Sequence, residues 1–123
     1  MARILIMDDE EEIRSIIRRA LTMAGHEIIE AEDGAVGLRL FQASSFDMVI
    51  TDLLMPEKEG IETILELREE HPDLRILVVS GGMAGDREGP LADAVSLGAD
   101  AAVAKPFTVA ELLEAVDGLL ARD

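Results

Sequence analysis

Acidic, hydroxyl and ammonium side chains stand at the ends of apolar runs at four points of the chain. Asp8, Asp9 and Glu10 follow the run 3–7, Asp52 follows 47–51, Ser80 follows 75–79, and Lys105-Pro106 follows 101–104. One acid in such a place is ordinarily a helix cap or a turn residue, and one lysine ordinarily faces water. Their joint occurrence is the informative fact. Clustered carboxylates repel one another unless a cation sits between them. Oxygen-only ligands with open positions suit Mg2+, which keeps several waters and often bridges to phosphate. A carboxylate can also attack phosphorus to give an aspartyl phosphate. Phosphoryl transfer needs in-line positioning and positive charge around the transferring oxygens. Here Mg2+ and Lys105 would supply that charge, and Ser80 would donate a hydrogen bond to a phosphoryl oxygen.

These residues can meet only if the runs before them are adjacent strands. Residues 3–7 and 75–79 are near-continuous apolar runs of strand length, as buried parallel strands are, and 47–51 resembles them. Residues 27–31 are weaker and belong nearer an edge, while 101–104 is alanine-rich and the poorest strand former. Helical patterns alternate with the runs. Ile13, Ile16, Ile17, Ala20 and Leu21 form one stripe, with Arg14, Arg18 and Arg19 on other faces. Ile61, Ile64, Leu65 and Leu67 form a second, stopped before Pro72. Leu112, Leu113, Val116, Leu119 and Leu120 form a third, opened by a Thr108/Glu111 capping box. Shorter helices are expected over 35–41, capped by Asp33, and over 91–97. Five strand–helix units in alternation predict an α/β fold, a parallel sheet covered on both faces. In such sheets ligands bind beyond the carboxyl ends of the strands, where strand order reverses.

Composition narrows the function. The chain has 123 residues, 49% hydrophobic and 30% charged, which suits one compact domain. It contains no cysteine, so disulfides and thiolate metal sites are excluded. No stretch approaches the roughly 18 apolar residues of a membrane span, and the apolar N-terminus is too short for a signal peptide. With 26 acids against 11 bases the formal net charge is −15, which argues against direct nucleic-acid binding. Most of the acids read as a solvated surface. There is no G-x-G-x-x-G or Walker-type loop to hold a nucleotide. His26 and His71 lack metal-spaced partners and read as turn residues, and Met7, Met23, Met48 and Met55 read as core filler.

One family carries this set in this order. Asp8-Asp9, then Asp52-Leu53-Leu54-Met55-Pro56 with Gly60 four residues on, then Ser80, then Lys105-Pro106-Phe107, resemble the receiver domain of bacterial response regulators. The resemblance runs from Ile4 to Leu120. It implies a flavodoxin-like (βα)5 fold, doubly wound around a five-stranded parallel sheet of order 2-1-3-4-5, with 1–123 as a single receiver domain. Asp52 would be the phosphoacceptor, supplied by a phosphohistidine on a sensor histidine kinase or a histidine phosphotransfer protein. Mg2+ would be held by Asp9, Asp52 and the backbone carbonyl of Leu54, with Asp8 acting through water. Lys105 would pair with the phosphoryl group, and its bond to Pro106 would be cis. Such a protein is cytoplasmic and catalyses only its own phosphorylation and dephosphorylation. Its output passes to a downstream protein or to an output domain outside this chain.

The sequence departs from the family in two places. Ala102 stands where many receivers carry Tyr or Phe, so no aromatic rotamer can switch there. Residues 81–90 hold four glycines in a loop longer than is usual, which with the next helix is a candidate output surface. An apolar Leu54 beside the acceptor cannot orient water, which predicts slow to moderate self-dephosphorylation. Two other functions compete: a docking module that keeps the fold without phosphorylation, and a phosphatase using Asp52 as nucleophile. The full set Asp9, Asp52, Ser80 and Lys105 argues against the first. The lack of a cap insertion and of a general acid near Asp52 argues against the second.

Overall fold

The computed structural model describes residues 2–52, 60–80 and 98–121, with Ile61 and Ser80 described in backbone alone. Its strands are β1 (Arg3–Met7), β2 (Glu27–Ala31), β3 (Met48–Thr51), β4 (Arg75–Ser80) and β5 (Ala101–Ala104). Its helices are α1 (Glu11–Met23), α2 (Gly34–Ala43), α3 (Gly60–Glu70) and α4 (Val109–Leu120). The strands form one sheet in the order β2-β1-β3-β4-β5, every adjacent pair parallel. This is the flavodoxin-like order the resemblance implies. The expected helix 91–97, the loop 81–90, Leu54 and Met55 lie outside the described residues.

The continuous apolar strands follow from burial on both faces. Side chains alternate across a strand. Leu5, Met7, Val49, Ile76 and Val78 therefore join Phe41 of α2 and Ile64 and Leu67 of α3 on one side. Ile4, Ile6, Met48, Ile50, Leu77 and Val79 join Ile17 and Leu21 of α1 and Leu112, Val116 and Leu119 of α4 on the other. Truncating any fully buried Leu or Ile here to Ala should cost about 2–5 kcal/mol.

The helix ends follow their sequence signals. Asp33 Oδ1 accepts from Val36 N–H at 2.9 Å, and Thr108 with Glu111 closes the capping box. After α1, Gly25 adopts φ 97°. Its N–H donates to Thr22 O, and His26 N–H donates to Leu21 O, the paired bonds of a Schellman motif. His26 is a turn residue as expected, its Nδ1 accepting from Ala2 N–H at 3.0 Å.

Three apolar expectations need correction. Ile16 is 40% exposed and Leu65 46%, because each sits at the margin of its helical stripe and the sheet covers only the middle. Met23, 89% exposed in the last turn of α1, is not core filler. Among the described residues, no helix is long and apolar enough to cross a membrane.

Candidate functional site

The site begins with backbone register. Met7 pairs with Thr51, so β1 and β3 end side by side. The pairing continues one step further: Asp52 N–H donates to Met7 O at 3.0 Å, and Asp8 N–H to Ala31 O at 3.2 Å. Asp8 and Asp52 are thus held next to each other at the carboxyl edge, 1% and 6% exposed. Asp8 Oδ1 accepts from Glu10 N–H at 2.9 Å, which turns the chain outward and leaves Asp9 exposed. Thr51 Oγ1 donates to Asp52 O at 2.9 Å. At the far side, Ser80 pairs with Ala104, and Lys105 follows with a cis bond to Pro106. Ser80 is therefore the last residue of β4 rather than the first beyond it.

Lys105 Nζ lies 3.0 Å from Asp8 Oδ2, 2.9 Å from Asp52 Oδ2 and 2.8 Å from Glu10 Oε1. Its side chain is only 11% exposed. Burial alone would lower the lysine pKa, but the hydrogen bonds to Glu10, Asp52 and Asp8 outweigh it and hold the ammonium above its ordinary range. For Asp8 the balance is the reverse. Burial raises its pKa, and the Glu10 N–H and Lys105 offset this only in part, so its carboxyl stays above the usual value.

Oxygens of Asp8, Asp9, Glu10 and Asp52 can be chosen that all lie within 4.8 Å of one another. Among the described residues, four carboxylates thus gather at one ammonium in a partly buried corner, three of them in contact with it, a donor set of hard oxygens only. Such a set suits a small divalent cation and supplies charge that one lysine cannot balance.

A sequence model of the response regulator receiver domain matches residues 4–117. The chain belongs to that family. The receiver is 36% identical to the transcriptional regulatory protein CpxR of Klebsiella pneumoniae, over 99% of this chain and 50% of that protein. It is 36% identical to the response regulator MprA of Mycolicibacterium vanbaalenii, over 98% of this chain and 51% of that one. It therefore spans about half the length of these curated relatives. Among solved structures it resembles TrrA of Thermotoga maritima, in complex with Mg2+-BeF, at TM-score 0.84 and 36% identity, covering 97% and 99% of the two chains. A receiver domain protein of Clostridium thermocellum superposes at TM-score 0.86 with 31% identity, covering 98% and 94%.

Of the residues singled out in the sequence, the receiver brings Asp8, Asp52 and Lys105 into contact and places Asp9 beside them. Ser80 shares the same edge by register, its side chain being outside the described residues, as is the Leu54 carbonyl. Ala102 pairs with Val78 and packs, half-buried, against the core on the Phe41 side of the sheet. Two participants had no role assigned from the sequence. Glu10, grouped with the strand-end acids but left out of the expected ligands, is a direct partner of Lys105. Arg14, expected on a polar face of α1, donates to Asp8 O at 2.6 Å and pairs with Glu30 at 3.4 Å. Its position one turn after the acids was the available signal.

Proposed function

We propose that this receiver is a Mg2+-dependent phosphoacceptor in which Asp52 takes a phosphoryl group from a phosphohistidine. The donor would be a sensor histidine kinase or a histidine phosphotransfer protein, and residues 1–123 would form a single receiver domain. The observation that carries this reading is the meeting of buried Asp8, Asp52 and Lys105 at the carboxyl edge of the sheet, with contacts of 2.9 and 3.0 Å.

A carboxylate oxygen of Asp52 forms the new bond to phosphorus while the phosphorus–nitrogen bond to the donor imidazole breaks, its electron pair leaving on nitrogen. Lys105 stands where it can pair with the transferred oxygens, and Ser80 would donate a hydrogen bond to one of them. Asp9, Asp52 and the Leu54 carbonyl are the proposed ligands of Mg2+, with Asp8 acting through water. When bound, the ion would supply charge that offsets the charge of the phosphoryl oxygens. That the similar TrrA was solved in complex with Mg2+-BeF supports the choice of this cation. Phosphorylation would switch protein contacts in the cytoplasm, either with a separate target or with an output domain of the kind the longer relatives have room for. The chain would catalyse only its own phosphorylation and dephosphorylation.

Incubation with a small-molecule phosphodonor, followed by intact mass, tests this. One phosphoryl group should be added with Mg2+, none with EDTA, and none in Asp52→Asn. Equal phosphorylation of Asp52→Asn would overturn the assignment, and no modification of the wild type would favour a docking role.

A further inference from the structure

We infer that Glu10 is a positioning residue for Lys105: it becomes the lysine's principal acceptor when Asp8 and Asp52 turn to a divalent cation, and so it strengthens cation binding. The inference rests on the proposed cation site. An ammonium has three donors. In Lys105 all three are used, on Glu10 Oε1 at 2.8 Å, Asp52 Oδ2 at 2.9 Å and Asp8 Oδ2 at 3.0 Å. The two aspartates are buried and belong to the group that would serve the cation. Glu10 differs: its side chain is 57% exposed and lies outside the proposed ligand set.

An oxygen that turns to a divalent cation is a weaker acceptor for a neighbouring ammonium. Lys105, mostly buried, would then be left short of partners, which is costly for a charge. Glu10 supplies the remaining one. Its backbone N–H is fixed on Asp8 Oδ1 at 2.9 Å, so the acceptor is anchored in the same turn as the aspartates. The Glu10–Lys105 pair is therefore stronger in the cation-loaded protein than in the cation-free one. By reciprocity of linkage, Glu10 raises cation affinity through the lysine.

Two simpler roles predict something different. If Glu10 were merely one more negative charge, Glu12, an exposed acid in the first turn of α1, would act alike. If Glu10 were itself a ligand, its effect would not depend on Lys105. A double-mutant cycle separates these, with Mg2+ affinity of the full chain measured by calorimetry. Glu10→Gln should weaken Mg2+ about tenfold, whereas Glu12→Gln should weaken it no more than about twofold. In a Lys105→Met background the effect of Glu10→Gln should fall to that of Glu12→Gln. An undiminished effect in that background, or equal effects of Glu10→Gln and Glu12→Gln in the wild type, overturns the inference while leaving the cation site standing. A wild type that binds no Mg2+ overturns both. Should Lys105→Met not fold, the Lys105 side-chain resonances decide: Glu10→Gln should move them more in saturating Mg2+ than without it, and the opposite order overturns the inference.

Discussion

Lys105 Nζ donates to Asp52 Oδ2 at 2.9 Å across 53 residues of sequence, and the strands that carry the two residues are not neighbours. β4 lies between β3 and β5, so the lysine reaches over the end of β4, where Ser80 sits, and on to Asp8 beyond β1. The contact ties the ends of three strands into one charged corner.

Removing the lysine should expose the repulsion it hides. Lys105→Met leaves Asp8 and Asp52 buried without their common partner, and should destabilise the cation-free protein by about 2–4 kcal/mol. Saturating Mg2+ should narrow the gap to wild type, because the cation can replace the lost charge. Thermal melts with and without Mg2+ measure this; an unchanged gap would contradict it. Since the lysine pKa is raised, its contribution is fully present below the ordinary value of 10.5 and is lost only as pH rises through the folded value.

Asp8 gives the opposite sign. Its folded pKa lies above the ordinary 3.8, so the folded state holds the proton more tightly than the unfolded chain. Its favourable contribution is complete below 3.8 and is lost as pH rises through the folded value, leaving a cost at neutral pH. Asp8→Asn should therefore raise the melting temperature at neutral pH without Mg2+, reduce the stabilisation Mg2+ confers, and lose its advantage near the ordinary carboxylate range. Melts across pH check the convergence.

Arg68 organises the opposite edge. Its Nε donates to Gly98 O at 2.9 Å, one terminal nitrogen donates to Pro72 O and Leu74 O at 2.6 and 2.7 Å, and the other meets Asp100 Oδ2 at 2.8 Å. Asp100 Oδ2 also accepts from Ile76 N–H at 2.8 Å, joining α3 to the starts of β4 and β5. Arg68→Ala should cost about 2–4 kcal/mol, since three carbonyls and a carboxylate lose one donor group. Mg2+ affinity should not change. Denaturant unfolding and calorimetry read the two effects separately.

Two helical glycines should respond oppositely to alanine. At Gly118 a Cβ meets nothing within 4 Å, so Gly118→Ala should stabilise by about 0.5–1 kcal/mol. At Gly37 a Cβ would collide with Met7 Sδ, and Met7 is fully buried under α2. Overpacking of about 1–3 kcal/mol should outweigh the gain in helix propensity there. Denaturation midpoints of the two variants check the difference in sign.

The sheet was legible because its central strands, 3–7, 47–51 and 75–79, are written as apolar runs closed by a polar residue, while 27–31, with two glutamates, read only as a weak edge strand. Even the alanine-rich 101–104 could be placed from its position before Lys105. The site was legible where chemistry is concentrated at strand ends, as in Asp8, Asp52 and Lys105. The roles of Glu10, recognised only as a strand-end acid, and of Arg14 were not legible, because they depend on rotamers that aim Glu10 at Lys105 and Arg14 at the Asp8 carbonyl. A helical stripe likewise predicts which face is apolar but not how far the sheet extends beneath it, which is why Ile16 and Leu65 came out exposed.

In the proposed function Asp52 is the residue that accepts phosphorus. An acyl phosphate is reduced by borohydride to the alcohol, so an aspartyl phosphate becomes homoserine. After phosphodonor and Mg2+ treatment, reduction and peptide sequencing, homoserine should appear at position 52. Homoserine at position 8 or 9 instead, or none anywhere in a protein whose mass shows the phosphoryl group, would contradict it.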